Sequence, residues 1–407
     1  MIRNKRSNSC TKIDTAIHGF IDRYFFYILV AVIILTSLYN RISFRSYSSS
    51  DIEKFVGPWL MHYEELGVVE GLRQGVGNYY IPYNVCLALI SQLPFSHVAL
   101  VGMLSWVFDY LIVFYIYKIL VSVFCVNTVA GRHKYLLWSL CVLFLPYVML
   151  NGAYWKQCDG IYTFFLIAGL YYLMKDHFSC AFILFAVGFS FKQQVIFIIP
   201  FLIILYVVKK SYSILQFLWF PVVYILAGLP AVFCGRSVYD TYTVYLTGQV
   251  SASKFMNEVA ANIYSLGLDN YGYLSKPAIL LTIVAFGVMI MFVISNKDSM
   301  DFYRWAFLAV WCIETCYMFL PAMHDRYDYS ALVLMTAILV LLNHKIIIPV
   351  VIMNFVSLEL YCRYLFYYEM NIYCLSIAYC AAYFWISYEL IRVIRNRECR
   401  PESVIIS

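Results

Sequence analysis

Apolar runs close to the roughly twenty residues of a membrane crossing recur from residue 24 to residue 392, and they do not alternate between apolar and polar positions. Lipid leaves a chain no water to bond its backbone, so only helices or closed barrels span it, and runs without alternation exclude the barrel. The sequence is therefore expected to form an all-α polytopic membrane protein. Of its 407 residues 63% are hydrophobic and 13% charged, where a soluble domain carries roughly a quarter charged residues. No stretch is left over for a separate soluble domain. The net charge of +6 is scattered between the runs, so it does not point to nucleic acid.

Twelve spans are expected, near 24–40, 97–124, 135–153, 160–175, 178–191, 194–209, 213–233, 277–296, 303–321, 329–343, 346–364 and 371–392. Residues 1–23 form a cytoplasmic N-terminal segment with an amphipathic piece, and Arg3, Lys5, Arg6, Lys12 and Arg23 precede the first span. Residues 24–392 make one transmembrane domain with outer loops at 41–96 and 234–276, and 393–407 form a cytoplasmic tail. In the first outer loop an interfacial helix is expected near 52–66, with Phe55, Trp59, Leu60 and Tyr63 on one face and Gly67 and Gly71 at its end. A second helix is expected to start at Gly77-Asn78-Tyr79-Tyr80-Ile81-Pro82-Tyr83 and run to Gln92-Leu93-Pro94, and its apolar stretch, Val85 to Leu93, is too short to cross. That assignment puts the short basic loops on the cytoplasmic side, as the positive-inside rule expects, with Arg41 and Arg45 as exceptions. Asp109, in mid-span, is expected to bond a tyrosine hydroxyl. The thirteen cysteines, Cys312 and Cys316 among them, read as packing residues rather than disulfides or metal ligands.

The same topology gathers five polar stretches on the outer face. They are Asp51 with Glu53; Gly77-Asn78-Tyr79; Trp155-Lys156-Gln157-Cys158-Asp159; Phe191-Lys192-Gln193-Gln194; and Met323-His324-Asp325-Arg326-Tyr327-Asp328. Charged groups next to apolar sequence at span ends usually face a cavity or each other. Each stretch has a plainer reading. Asp51 or a neighbouring Ser can cap a helix opening at Ile52, Asp159 can cap one at Ile161, Lys156 and Lys192 can snorkel, and Trp155 can sit in an aromatic belt. What weighs against independent anchors is the shared face, with Asp, Gln, His and Arg together.

The motifs resemble those of the GT-C superfamily of integral membrane glycosyltransferases. The nearest likeness is to bacterial polyprenol-phosphate mannosyltransferase-like proteins, related to the second mannosyltransferase of GPI-anchor assembly. Carrying it are Asp51-Ile52-Glu53-Lys54-Phe55-Val56-Gly57-Pro58-Trp59, Gly77-Asn78-Tyr79-Tyr80-Ile81-Pro82-Tyr83, and the Trp155, Phe191 and Met323 stretches. The resemblance implies a GT-C-like fold and an enzyme that moves mannose or another hexose, usually with inversion, from a polyprenyl-phosphate carrier to a glycan or lipid-linked acceptor outside the membrane. It further implies an essential acid at Asp51 and a bacterial inner-membrane location. Two positions depart from the pattern: Lys156 stands where Gly follows the Trp, and Asp325 replaces Glu.

The residues support that chemistry in their own right. An attacking hydroxyl must give up its proton, and Asp51 is the carboxylate chosen to take it, with Glu53 next. A phosphate ester leaves as a stable anion and needs fixed positive charge, which Lys192, Arg326 and His324 can supply. Glu53, Asn78, Gln157, Asp159 and Gln193 can bind acceptor or sugar hydroxyls, and Tyr79, Trp155 and Tyr327 can stack on a pyranose face. A divalent metal between Asp51 and Asp159 is possible but no ligand set assigns one. The rival classes are a lipid-linked glycan flippase and a polysaccharide polymerase. A flippase would more often show repeated halves and charges at mid-membrane, whereas here the polar groups cluster at one face and no repeat is seen.

Overall fold

A computed structural model describes residues 11–250, 254–368 and 370–396. Arg3, Lys5 and Arg6 and the tail from residue 397 lie outside the described residues. All twelve apolar segments are helical, with α1 Lys12–Ser43, α2 Gly57–Gln74, α3 Ile81–Ile90, α4 His97–Val123, α5 Val129–Phe144, α6 Pro146–Trp155, α7 Asp159–Met174 and α8 Phe178–Phe191. They continue with α9 Gln193–Lys209, α10 Ile214–Phe233, α11 Tyr271–Ser295, α12 Phe302–Phe319, α13 Tyr329–Leu342, α14 His344–Phe366 and α15 Ile372–Arg395. Six of these are long and apolar enough to cross a membrane, or seven if the bent pair α5–α6 counts as one span. The protein is thus a multi-pass α-helical membrane protein.

Local chemistry sets the helix ends. Ser96, Thr128, Asn270, Asp301 and Asn371 each accept a bond from a backbone N–H in the first turn of the following helix. Pro146 forces extended backbone at Leu145 and bends α5 against α6 by 59°. The helix α1 starts on a reciprocal cap between Thr11 and Asp14 and runs 32 residues without a break. The amphipathic piece expected before the first span is therefore part of that span's helix. Between α1 and α3, Gly67 interrupts α2 at φ 72°, but the helix resumes and Gly71 lies inside it. Trp59, Leu60 and Tyr63 face inward as expected, whereas Phe55 is exposed.

The helices α1, α10 and α11 lie at the periphery with mostly outward side chains, the arrangement of helices that meet lipid. Inside them, α7 packs against α8 and α4, α8 against α10, and α15 against α14 and α12. The helix α12 is buried almost all round and carries Arg304 and Glu314. Cys312 and Cys316 sit in its core-facing surface as free thiols.

One expectation changes here. The partner of Asp109 is Arg41, whose Nη2 donates to Oδ2 at 2.9 Å with both side chains buried, while the Tyr110 hydroxyl pairs with Ser37 at 3.1 Å. Arg41 also donates to Ser37 Oγ and Leu143 O. An arginine spent as an internal counter-ion is not a surface charge, which removes one of the two exceptions to the charge rule. The 234–276 segment is joined to the 320–328 loop. Strand β1, Asn257–Glu258, pairs in parallel with β2, Met323–His324, and Ala322 N donates to Met256 O at 2.8 Å.

Candidate functional site

Ser49, and not Asp51, closes the turn that opens at Ile52. The hydroxyl of Ser49 accepts from Ile52 N at 3.4 Å and donates to Trp155 O at 3.1 Å, while Asp51 makes no capping bond. That leaves the Asp51 carboxylate free to turn inward. Its Oδ2 accepts from Trp155 Nε1 at 2.8 Å and from Gln157 Nε2 at 2.6 Å, and its Oδ1 accepts from the Tyr364 hydroxyl at 2.5 Å. Tyr364 comes from α14, more than three hundred residues away in sequence, and stacks on the Trp155 ring at 4.5 Å. A carboxylate offers about four lone-pair positions. Three are taken, so one remains, on Oδ1.

Two helical segments wound as π turns frame this acid. Ile52–Val56 follows Asp51 and Leu150–Trp155 delivers the indole. Such turns insert a residue into the helical repeat and re-aim the side chains around it. The second ends on Lys156 in the left-handed region, at φ 63°.

The guanidinium of Arg326 rests 5.0 Å from the centre of the Trp155 ring, the ring whose N–H bonds Asp51. Arg326 also pairs with Asp325 at 3.3 Å and lies 3.6 Å from Asp159 Oδ2. Asp159 is fully buried at the start of α7. Its Oδ1 accepts from Lys192 Nζ at 2.5 Å, and its Oδ2 accepts from Asn151 Nδ2 at 2.9 Å. Asp159 is thus neither a cap nor a free ligand for sugar hydroxyls. It is the counter-ion that fixes both cations, and the helix N-terminus adds a favourable field for its charge. Lys192 Nζ lies 5.9 Å from the centre of the Tyr327 ring.

Electrostatics sharpen the roles. Burial raises the Asp325 carboxyl to about 6, against the pull of Arg326 and with the charges of Asp51 and Asp159 adding to the rise. Asp325 and Asp159 therefore flank Arg326. Burial, with Arg326 and Lys192 nearby, lowers His324 to about 3. His324 is accordingly neutral near pH 7 and enters the site as a hydrogen-bonding ring 5.0 Å from Tyr327, leaving Lys192 and Arg326 as the cations. Burial also raises the Tyr79 hydroxyl well above its ordinary range, and Arg326 and Asp159 both act on it.

Of the residues expected from sequence, the structure brings together Asp51, Trp155, Gln157, Asp159, Lys192, Arg326 and Tyr327, with His324 and Tyr79 beside them. Glu53 and Asn78 are exposed, and Glu53 is carried away from Asp51 because residues two apart in a helical turn point in different directions. Gln193 is half-buried, and its neighbour Gln194 is the buried one, with Oε1 left without a hydrogen-bond partner. Asn151 and Tyr364 were missed. Asn151 stood out only as a lone amide in an apolar run, and Tyr364 was one of 38 tyrosines with no motif around it.

Lys156, the unexpected cation of the third motif, does not reach the cluster. It donates to Phe44 O at 3.0 Å and Ala153 O at 3.1 Å, and burial lowers it to about 8. A left-handed backbone costs a non-glycine residue about 1–2 kcal/mol, which the bonds to two buried carbonyls offset. Lys156→Gly is expected to relieve that strain but lose both bonds. The net loss is on the order of 1–2 kcal/mol, read as a lower thermal midpoint, with the function of the site unchanged.

A metal fits this donor set poorly. Asp51 is enclosed by N–H and O–H donors and Asp159 by two cations, and no group of three or more His, Cys, Asp or Glu is arranged to hold one among the described residues. No protein-family model and no curated protein matches this chain.

Proposed function

We propose that the chain is a carrier-dependent glycosyltransferase of the GT-C type, acting on a polyprenyl-phosphate-linked hexose at the extracytoplasmic face. The observation that carries the reading is one indole ring, Trp155, that donates its N–H to a carboxylate with an open acceptor position and carries the half-buried Arg326 guanidinium over its face, with the buried Lys192 linked to Arg326 through Asp159. That is the charge layout an inverting transfer from a phosphate ester requires. The acceptor oxygen bonds to the anomeric carbon as its proton passes to Asp51 Oδ1. The anomeric carbon–oxygen bond breaks with its electron pair going to the carrier phosphate, whose charge Arg326 and Lys192 offset. Tyr79 and Tyr327 offer faces for the sugar ring, and Gln194 Oε1 offers an acceptor for a hydroxyl.

In the same reading all twelve apolar segments cross, the shorter α7, α8, α9 and α13 being held within the bundle, and α2 and α3 lie at the outer surface. The N-terminus and the basic short loops are then cytoplasmic, and the host membrane is a bacterial inner membrane.

Membranes or proteoliposomes supplied with polyprenyl-phosphate-linked hexoses and candidate glycan acceptors test this directly. Transfer with inversion at the anomeric carbon is expected. Arg326→Ala is expected to raise the donor concentration needed for half-saturation more than that of the acceptor. Donor saturation that does not move in this variant removes Arg326 from the phosphate. Movement of the carrier-linked sugar across the bilayer without transfer favours a flippase.

A further inference from the structure

The helices that bring the candidate site together also enclose a second feature at their other ends. Asp159 opens α7 and Lys175 follows its last residue; Lys192 precedes α9 and Lys209 ends it. The sixteen residues of α7 separate those ends by about 24 Å. Between the far ends of α4, α7, α9, α12 and α13 lies a cavity of about 380 Å³. Its walls are mostly apolar, with Leu173, Leu205, Trp305, Ala306, Val310 and Ile338 among them. Ser122, Lys175, Lys209 and Asp301 supply polar side chains to it. Asp301 is tied to Arg304 at 2.6 Å, while Lys175 is exposed and pairs with no carboxylate among the described residues. Lys209 is exposed and only loosely paired with Asp176, at 3.7 Å.

We propose that this cavity binds one acyl chain of an anionic phospholipid, with the lipid phosphate held by Lys175 and Lys209. An apolar space of this size is ample for part of a chain, and it falls in the range of ordinary ligand pockets. Basic side chains at span ends attract acidic headgroups. The occupant is not the sugar carrier of the proposed reaction, since one carrier cannot place its single phosphate at both ends of α7. The inference therefore stands apart from the proposed activity and needs only that the protein sits in a bilayer.

Purified full-length protein in detergent is titrated separately with dioleoylphosphatidylglycerol, dioleoylphosphatidylcholine and sodium phosphate. Bound lipid is counted by native mass spectrometry and the thermal midpoint is followed. Phosphatidylglycerol is expected to bind on the order of 30-fold more tightly than phosphatidylcholine, from two lysines near one phosphate. The double variant Lys175→Glu with Lys209→Glu, which alters no packed residue, is expected to lose that preference. Ala306→Phe, which fills the cavity, is expected to weaken phosphatidylglycerol binding about tenfold or more. Equal binding of the two lipids overturns the proposal, as does a double variant that keeps the preference. So does wild-type binding by Ala306→Phe, or a midpoint shift that phosphate alone reproduces; the double variant remains decisive if Ala306→Phe does not fold.

Discussion

Asp51→Asn is expected to accumulate as a folded protein and to transfer sugar between a hundred and ten thousand times more slowly, the usual contribution of a positioned general base, about 10²–10⁴. The fold should survive because the amide can occupy the carboxylate's place without a lost bond. Turned with its oxygen toward Trp155 Nε1 and Gln157 Nε2, the amide presents its NH₂ to the Tyr364 hydroxyl, which can accept as readily as donate. What disappears is the open lone pair on Oδ1 and the ability to hold the acceptor's proton. Circular dichroism and a thermal midpoint close to the parent, beside lost transfer, are the expected pair of results. Near-normal turnover would take Asp51 out of the base role, and unfolding would mean that its charge, not its shape, holds Trp155.

The sequence made the class of the fold readable because lipid imposes it. Long apolar runs that do not alternate have one way to satisfy their backbone in lipid, and each of the twelve became helix. Lengths were less readable. The helix α1 begins at Lys12, because the Thr11–Asp14 cap, and not the apolar onset, decides where a helix starts. Likewise Gly67 breaks α2 without ending it. The candidate site was legible where motifs put polar groups at span ends, and its logic was not. Asp159 looked like a sugar ligand until Lys192 and Arg326 were found on its two oxygens. Arg41 looked misplaced on the outer side until it met Asp109. Pairings between residues far apart in sequence, such as Tyr364 with Asp51, depend on how helices are arranged in the bundle, and no local pattern encodes that arrangement.

The second large effect is expected at that ion cluster. Among the described residues, Asp159→Asn removes the only carboxylate on Lys192 and one of two on Arg326, in a place where both partners of the Lys192 pair are at most 4% exposed. Leaving a buried charge unpaired typically costs about 3–5 kcal/mol, so this variant should unfold at a clearly lower temperature. Lys192→Met is expected to cost less, since Asp159 keeps Asn151 and the nearby guanidinium. Combining the two substitutions should recover most of the stability, because a neutral amide beside a thioether leaves no uncompensated charge, and residues in direct contact are where additivity fails. Function should part from stability at this point. The recovered double variant still lacks the cation proposed to meet the departing phosphate, so its transfer should stay low. A double variant that regains both stability and transfer would make Lys192 a structural counter-ion only and leave the phosphate to Arg326. A double variant as unstable as Asp159→Asn alone would place the stabilising value of Asp159 in Asn151 and Arg326 instead.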